Sequence, residues 1–94
     1  MKIPIEITSQ AFDEIVDIYT HKNIPSNYCL RIGSKGSGCS GVTHYLGFDE
    51  QHPDDLLFNY ESINVVIKKK DFMHLIGVKL DFINTEEKKG FVFE

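Results

Sequence analysis

The most informative chemical feature of this sequence is a glycine- and serine-rich run around one cysteine, Ser37-Gly38-Cys39-Ser40-Gly41. Glycines on both sides of Cys39 permit unusual backbone dihedral angles and leave room beside the thiol. Backbone N–H groups in such a loop can lower the pKa of a thiol or donate hydrogen bonds to a cluster sulfide. The residues alone leave three roles open for Cys39: a metal ligand, a nucleophile or an ordinary cysteine in a turn.

Two other residues could complete a metal site. His44 follows Cys39 by five residues, and imidazole is a competent ligand for iron, although a single histidine on a strand more often serves packing. Cys29 is the only other cysteine. Side-chain alternation sets it beside Arg31, where it also fits the pattern of a small, half-buried strand residue. The remaining histidines are predicted to face solvent: His21, His52 and His74.

Several functional classes find no support in the sequence. No spacing indicates a Cys–His–Asn or Ser–His–Asp arrangement, and the glycine-rich run lacks the Gly-Lys-Ser/Thr ending of a phosphate-binding loop. A net charge of −4 does not favour nucleic-acid binding, and the run Lys68-Lys69-Lys70 reads as a solvated turn. The protein is therefore not predicted to be an enzyme or a nucleic-acid binder. Four acids are predicted to be solvating charges around a turn: Asp49, Glu50, Asp54 and Asp55.

The length of 94 residues is that of one domain, predicted to span residues 1–94. No stretch reaches the ~20 apolar residues of a membrane-spanning helix, and the first six residues do not resemble a signal peptide. We therefore expect a cytoplasmic protein without a membrane association. In that compartment the two cysteines are expected to be free thiols or ligands.

The hydrophobic periodicity places these residues on a β-rich scaffold. A short strand at 3–7 precedes an N-cap at Thr8 or Ser9 and an amphipathic helix, which ends in the segment 23–27 around Pro25. From Tyr28 the period changes to two. Predicted in order are a strand from 28 to 33, a loop at 34–41, strands at 42–48, 56–58 and 63–67, a short helix at 72–76 stopped by Gly77, and strands at 78–82 and 91–93. The expected class is α+β, mainly β.

These segments together resemble the HesB/IscA-like family of A-type iron–sulfur carriers over nearly the whole chain. The resemblance rests on these runs: Leu30-Arg31-Ile32-Gly33, Ser37-Gly38-Cys39-Ser40-Gly41, Tyr45-Leu46-Gly47-Phe48, Ile63-Asn64-Val65-Val66-Ile67, Leu75-Ile76-Gly77, Leu80-Asp81-Phe82 and Gly90-Phe91-Val92-Phe93. The family implies a compact domain of short mixed strands in packed sheets, with an N-terminal helix and a short second helix. It also implies a homodimer or tetramer that holds iron or an iron–sulfur cluster between subunits and transfers it to apo-proteins.

The family's ligands are the cysteine that matches Cys39 and a Cys-Gly-Cys motif on a C-terminal tail. The sequence ends at Glu94, where the family would continue into that tail, so it resembles either a degenerate member that lacks the tail or a shortened piece of a longer chain. Two copies of Cys39 leave positions open on a [2Fe–2S] cluster, which usually takes four protein ligands. Cys29, His44, a small thiol or a client protein could fill them. The alternative is an interaction module without a cluster, in which Cys39 is a remnant.

Overall fold

The computed structural model describes residues 3–37 and 41–94. The elements are β1 (Glu6–Ile7), α1 (Ser9–His21), β2 (Cys29–Ser37), β3 (Gly41–Asp49), β4 (Asp55–Tyr60), β5 (Ile63–Lys68), a 3₁₀ turn (Lys69–Asp71), α2 (Phe72–Leu75), β6 (Lys79–Asn84) and β7 (Lys89–Phe93). The predicted α+β class is confirmed, with two sheets, an N-terminal helix and a short second helix. No helix in the described ranges is long and apolar enough to cross a membrane.

The two sheets are both mixed. The larger one has the strand order β3-β2-β5-β4, and the smaller one has the order β1-β6-β7. Strands β2 and β3 form a long antiparallel hairpin, in register from Cys29 opposite Asp49 to Ser37 opposite Gly41. Strand β5 runs parallel to β2, with Leu30 opposite Val65. The hairpin is therefore anchored at one end to the rest of the sheet, and its other end leads to residues 38–40.

Local sequence explains helix α1. The Thr8 hydroxyl accepts a hydrogen bond from the Ala11 N–H at 3.2 Å, which satisfies one of the helix's free N-terminal donors. Ala11 and Ile15 are fully buried, and Phe12 packs on the same core. The predicted cap and apolar face are both confirmed, and the helix ends at His21.

The core lies between the two sheets and collects the inward-facing side chains of both. Its fully buried members include Ile15 from α1, Leu30 and Ile32 from β2, Val65 and Ile67 from β5, Leu75 from α2 and Leu80 from β6. Because side chains alternate along a strand, the other face of β2 carries Cys29, Arg31 and Gly33, as predicted. The core thus fixes which face of the hairpin is turned inward.

Most predicted boundaries differ from the structure by one or two residues, and two differ by more. The first strand covers only Glu6–Ile7, because only these residues pair with β6, although Ile5 is also buried. The loop predicted at 34–41 is shorter, because β2 continues to Ser37 and β3 already begins at Gly41. Glycines and serines in this stretch suggested a loop, but a partner strand at full register keeps them extended. Gly38, Cys39 and Ser40 lie outside the described residues.

The prediction that Asp55 is a solvating charge is also wrong. Its carboxylate is buried and accepts two hydrogen bonds from the Arg31 guanidinium, at 2.8 and 2.6 Å. The same guanidinium donates to Asp49 Oδ2 at 3.2 Å and to the Glu50 carbonyl at 3.0 Å. Arg31 thus joins the 49–55 turn to the base of the hairpin. Its guanidinium has five N–H donors, so it can bind several oxygen atoms of this turn at once.

Acid should weaken this arrangement. The Arg31 hydrogen bonds lower the pKa of Asp55 in the folded protein. A carboxyl group whose folded pKa is lowered stabilises the fold above its unfolded pKa of about 3.9, and that contribution is lost as the pH falls through the folded value. We therefore expect the urea concentration at the midpoint of unfolding to be constant from pH 7 to about pH 5. It should decrease when the pH is lowered below about 4.

The matched control is Asp54→Asn, which removes an exposed carboxylate that binds Lys68. This variant should keep the steep fall of the midpoint in acid. An unchanged midpoint between pH 5 and pH 2.5 in the wild-type protein would contradict the expected linkage.

Candidate functional site

The β2–β3 hairpin flanks the predicted cysteine in sequence. Ser37 and Gly41 are paired across the hairpin, so three residues, Gly38, Cys39 and Ser40, connect the two strands. Gly41, predicted as part of the loop that supports the site, is the first residue of β3. The described backbone therefore brings both flanks of the Ser-Gly-Cys-Ser-Gly run together, and the role of Cys39 itself stays a prediction.

A cross-strand contact stiffens the hairpin on its outer face. The ring of Tyr45 covers Gly33, and a Cβ atom at Gly33 would lie 2.5 Å from the Tyr45 hydroxyl oxygen. The Lys35 ammonium lies 5.1 Å from the centre of the same ring, which is within the range of a cation–π contact. The absence of a side chain at Gly33 therefore lets Tyr45 pack flat on the strand that leads towards Cys39.

His44 lies on the inner face of the hairpin, opposite Ser34. Its ring is 5.5 Å from the ring of Phe93, centre to centre, and so it packs against the second sheet. Its Nδ1 atom is buried and has no hydrogen-bond partner among the described residues. Three residues of β3 separate His44 from Gly41, or about 10 Å along the strand. These contacts support a packing role, and its role as a ligand stays a prediction.

Cys29 lies at the other end of the hairpin. It is eight positions before Ser37 along β2, which corresponds to about 26 Å of extended chain. Its side chain is buried, and burial raises the pKa of its thiol, against a smaller lowering by Arg31. Because metals bind the thiolate, the burial of Cys29 counts against it as a ligand. Its role as a ligand stays a prediction.

The three other histidines do not gather at the hairpin. His21 is exposed and contacts Asp17 at 2.9 Å within α1. His52 is half-exposed, with its ring nitrogens 3.4 Å from Asp49 and from Lys68. His74 is exposed on α2. In the ranges 3–37 and 41–94, no three His, Cys, Asp or Glu side chains are grouped to hold a metal ion.

One polar residue near the hairpin was missed by the sequence reasoning. Asp71 ends the 3₁₀ turn and is buried, and its Oδ2 atom has no hydrogen-bond partner among the described residues. Nothing in the sequence marked it, because the preceding run of three lysines indicated a solvated turn. Its burial follows from the packing of α2 against β2.

Comparison with known proteins gives one consistent family. The family described as iron–sulphur cluster biosynthesis matches residues 3–94. The iron-binding protein IscA of Yersinia enterocolitica is 40% identical over 65 residues, which cover 68% of this chain but only 61% of that relative. The iron-binding protein IscA of Yersinia pestis (strain Pestoides F) is 33% identical over 90 residues, or 95% of this chain and 82% of that relative.

A solved structure agrees with the fold. The crystal structure of IscA with the [2Fe–2S] cluster superposes with a TM-score of 0.75 at 26% identity. The match covers 96% of this chain and 83% of that one. The element order and the paired sheets described above are therefore shared with a protein whose structure includes a cluster.

Proposed function

Because this chain belongs to the iron–sulphur cluster biosynthesis family, we propose that it binds iron or an iron–sulfur cluster through Cys39 at a subunit interface. It passes this cargo to apo-proteins or to other assembly proteins, and it acts as a carrier and not as a catalyst. The proposed setting is the cytoplasm, and the proposed assembly is a homodimer or tetramer. These statements go beyond the family assignment and need their own test.

The observation that supports Cys39 is the geometry of the hairpin around it. Strands β2 and β3 remain paired up to Ser37 and Gly41, so the described backbone brings both flanks of Cys39 together. Arg31 binds the turn at the base of this hairpin, and Tyr45 packs over Gly33 in its middle. In the proposed assembly, Cys39 meets the same residue of a second copy.

The stoichiometry requires further ligands. Two copies of Cys39 supply two of the four positions that a [2Fe–2S] cluster usually needs. The burial of Cys29 and its distance along β2 from Ser37 count against it. We propose that His44, a small thiol or the client protein supplies ligands beyond Cys39. Open or labile positions suit a carrier, because transfer of the cargo requires ligand exchange.

The test is anaerobic reconstitution with iron and sulfide, followed by visible absorption, iron counting and the molar mass in solution. Wild-type protein should become coloured and form a dimer or a larger assembly. Cys39→Ser should lose the colour and nearly all of the iron, because its hydroxyl is a much poorer ligand for iron than a thiolate. Cys29→Ala is the matched control and should retain both.

Two results would contradict the proposal. Equal iron retention in wild-type and Cys39→Ser protein would show that Cys39 is not a ligand. Colourless protein in all three cases, with intact far-ultraviolet circular dichroism, would favour the alternative of an interaction module without a cluster. A coloured monomer would contradict the proposed position of the cluster at a subunit interface, but not the role of Cys39 as a ligand.

A further inference from the structure

A second polar site lies beside the hairpin. Strand β5 pairs with β2 only around Leu30 and Arg31 and then turns away, so the later part of β2 lies beside the 3₁₀ turn and α2. A cavity of about 420 Å³ remains between them. It is lined by Ser34, Lys35, Gly36, Lys70, Asp71 and His74.

Asp71 is the unusual member of this lining. Its side chain is only 5% exposed. The Lys70 ammonium donates to Oδ1 at 3.2 Å, whereas Oδ2 has no partner within the described part of the chain. Leaving a buried carboxylate oxygen without a donor is costly, and such atoms are rare in native proteins. The Oδ2 atom of Asp71 is therefore available to a cation that enters the cavity.

The neighbouring groups decide which kind of cation fits. His74 lines the same cavity three residues after Asp71, a spacing that sets two side chains on one side of a helical turn. Ser34, buried on β2, adds a hydroxyl. One carboxylate, one imidazole and one hydroxyl form an oxygen–nitrogen donor set that suits divalent manganese or ferrous iron. Since these donors are few, water would complete the coordination and the ion would exchange readily.

Lys70 explains how the site can exist without its ion. Its side chain is 71% exposed, so the ammonium can leave Asp71 and enter water at little cost. While it remains on Oδ1, its positive charge repels a divalent ion at the neighbouring Oδ2. We propose that this cavity is a weak, exchangeable site for ferrous iron or a similar divalent cation, held by Asp71 and His74 in competition with Lys70. The proposed ligands of this site do not include Cys39, and the proposal does not depend on the function proposed above.

The experiment is a titration of the intact chain with Mn(II), followed by the loss of the electron paramagnetic resonance signal of the free ion. Mn(II) avoids thiolates and prefers oxygen and nitrogen donors, so Cys39→Ser should bind it as the wild type does. His74→Gln should weaken binding by about tenfold or more, and Asp71→Asn should weaken it further. Lys70→Met should strengthen binding by about threefold to tenfold, because a competing positive charge is removed.

Lys69→Met is the matched control, because it removes the same charge from the adjacent position outside the cavity lining. It should strengthen binding less than Lys70→Met does. Since His74 is exposed, His74→Gln folds in any case and keeps the test decisive if Asp71→Asn is destabilised. Unchanged affinity in His74→Gln would overturn the proposal. Weaker Mn(II) binding in Lys70→Met would do the same, because the competition would then be absent.

Discussion

Arg31→Met is expected to lower the free energy of unfolding by about 3–5 kcal/mol, the usual cost of breaking a buried ion pair on one side. The carboxylate of Asp55 is fully buried, and Arg31 supplies two of its hydrogen bonds. Without the guanidinium, a negative charge would stay in the interior, and its one remaining donor among the described residues would be the His52 N–H, at 2.6 Å. Urea unfolding at pH 7, followed by circular dichroism, measures the loss.

Two further variants separate the buried pair from a general effect of charge. Lys68→Met breaks the pair with Asp54, whose carboxylate is largely exposed, and should cost only about 0–1 kcal/mol. The double variant Arg31→Met/Asp55→Leu should recover much of the loss, because no unpaired charge remains buried. If Arg31→Met cost no more than Lys68→Met, the buried pair would not be what anchors the hairpin.

The same loss bears on the proposed function. Arg31 joins the base of β2 to Asp49, Glu50 and Asp55, and the other end of β2 leads to Cys39. A hairpin with a loosened base would hold its end less firmly. We expect Arg31→Met protein to retain less iron after reconstitution than wild-type protein of equal folded fraction.

Phe58→Ala is expected to cost about 3–5 kcal/mol, the usual range for removing a buried aromatic ring. Phe58 is 1% exposed and stacks on Phe72, with 6.3 Å between ring centres. It therefore joins β4 of the larger sheet to α2. Because a domain of this size has a total stability of about 5–15 kcal/mol, this variant could be partly unfolded at 37 °C.

Leu57→Ala is the matched control for Phe58→Ala. Leu57 is the preceding residue, lies on the opposite face of β4 and is 47% exposed. Its loss should change the free energy of unfolding by about 0.5 kcal/mol or less. Thermal and urea unfolding of both variants measure the difference. Similar losses in the two variants would mean that the core does not lie on the Phe58 face of β4.

Much of the fold could be predicted from local pattern. Helix α1 followed from a capping threonine and apolar residues three and four positions apart, since both the cap bond and the helical face involve neighbours in sequence. The inward position of Leu30 and Ile32, and the outward position of Cys29 and Arg31, followed from alternation in β2. Both patterns depend on residues that are close in sequence. They can therefore be recognised without knowing which distant segments pack against them.

The candidate site divides in the same way. The run around Cys39 is recognisable because glycine and serine flank a thiol, and the resemblance to the family supplied its meaning. The extent of the loop was not predictable, because Ser34–Ser37 are poor strand formers that become extended only through pairing with β3. Strand pairing joins residues that are not neighbours in sequence, so the composition of this stretch could not predict it.

The remaining features required the folded chain. Arg31 binds Asp55, which is 24 positions later in the sequence. The local sequence around an acid beside a turn does not show whether its carboxylate is solvated or buried. The ring of Tyr45 covers Gly33 only because the hairpin register sets them opposite each other. Asp71 lost its solvent when α2 packed against β2. Local patterns thus specify the elements and their inner faces, whereas burial of charge depends on which distant segments meet, since desolvation is a property of the surroundings and not of the residue.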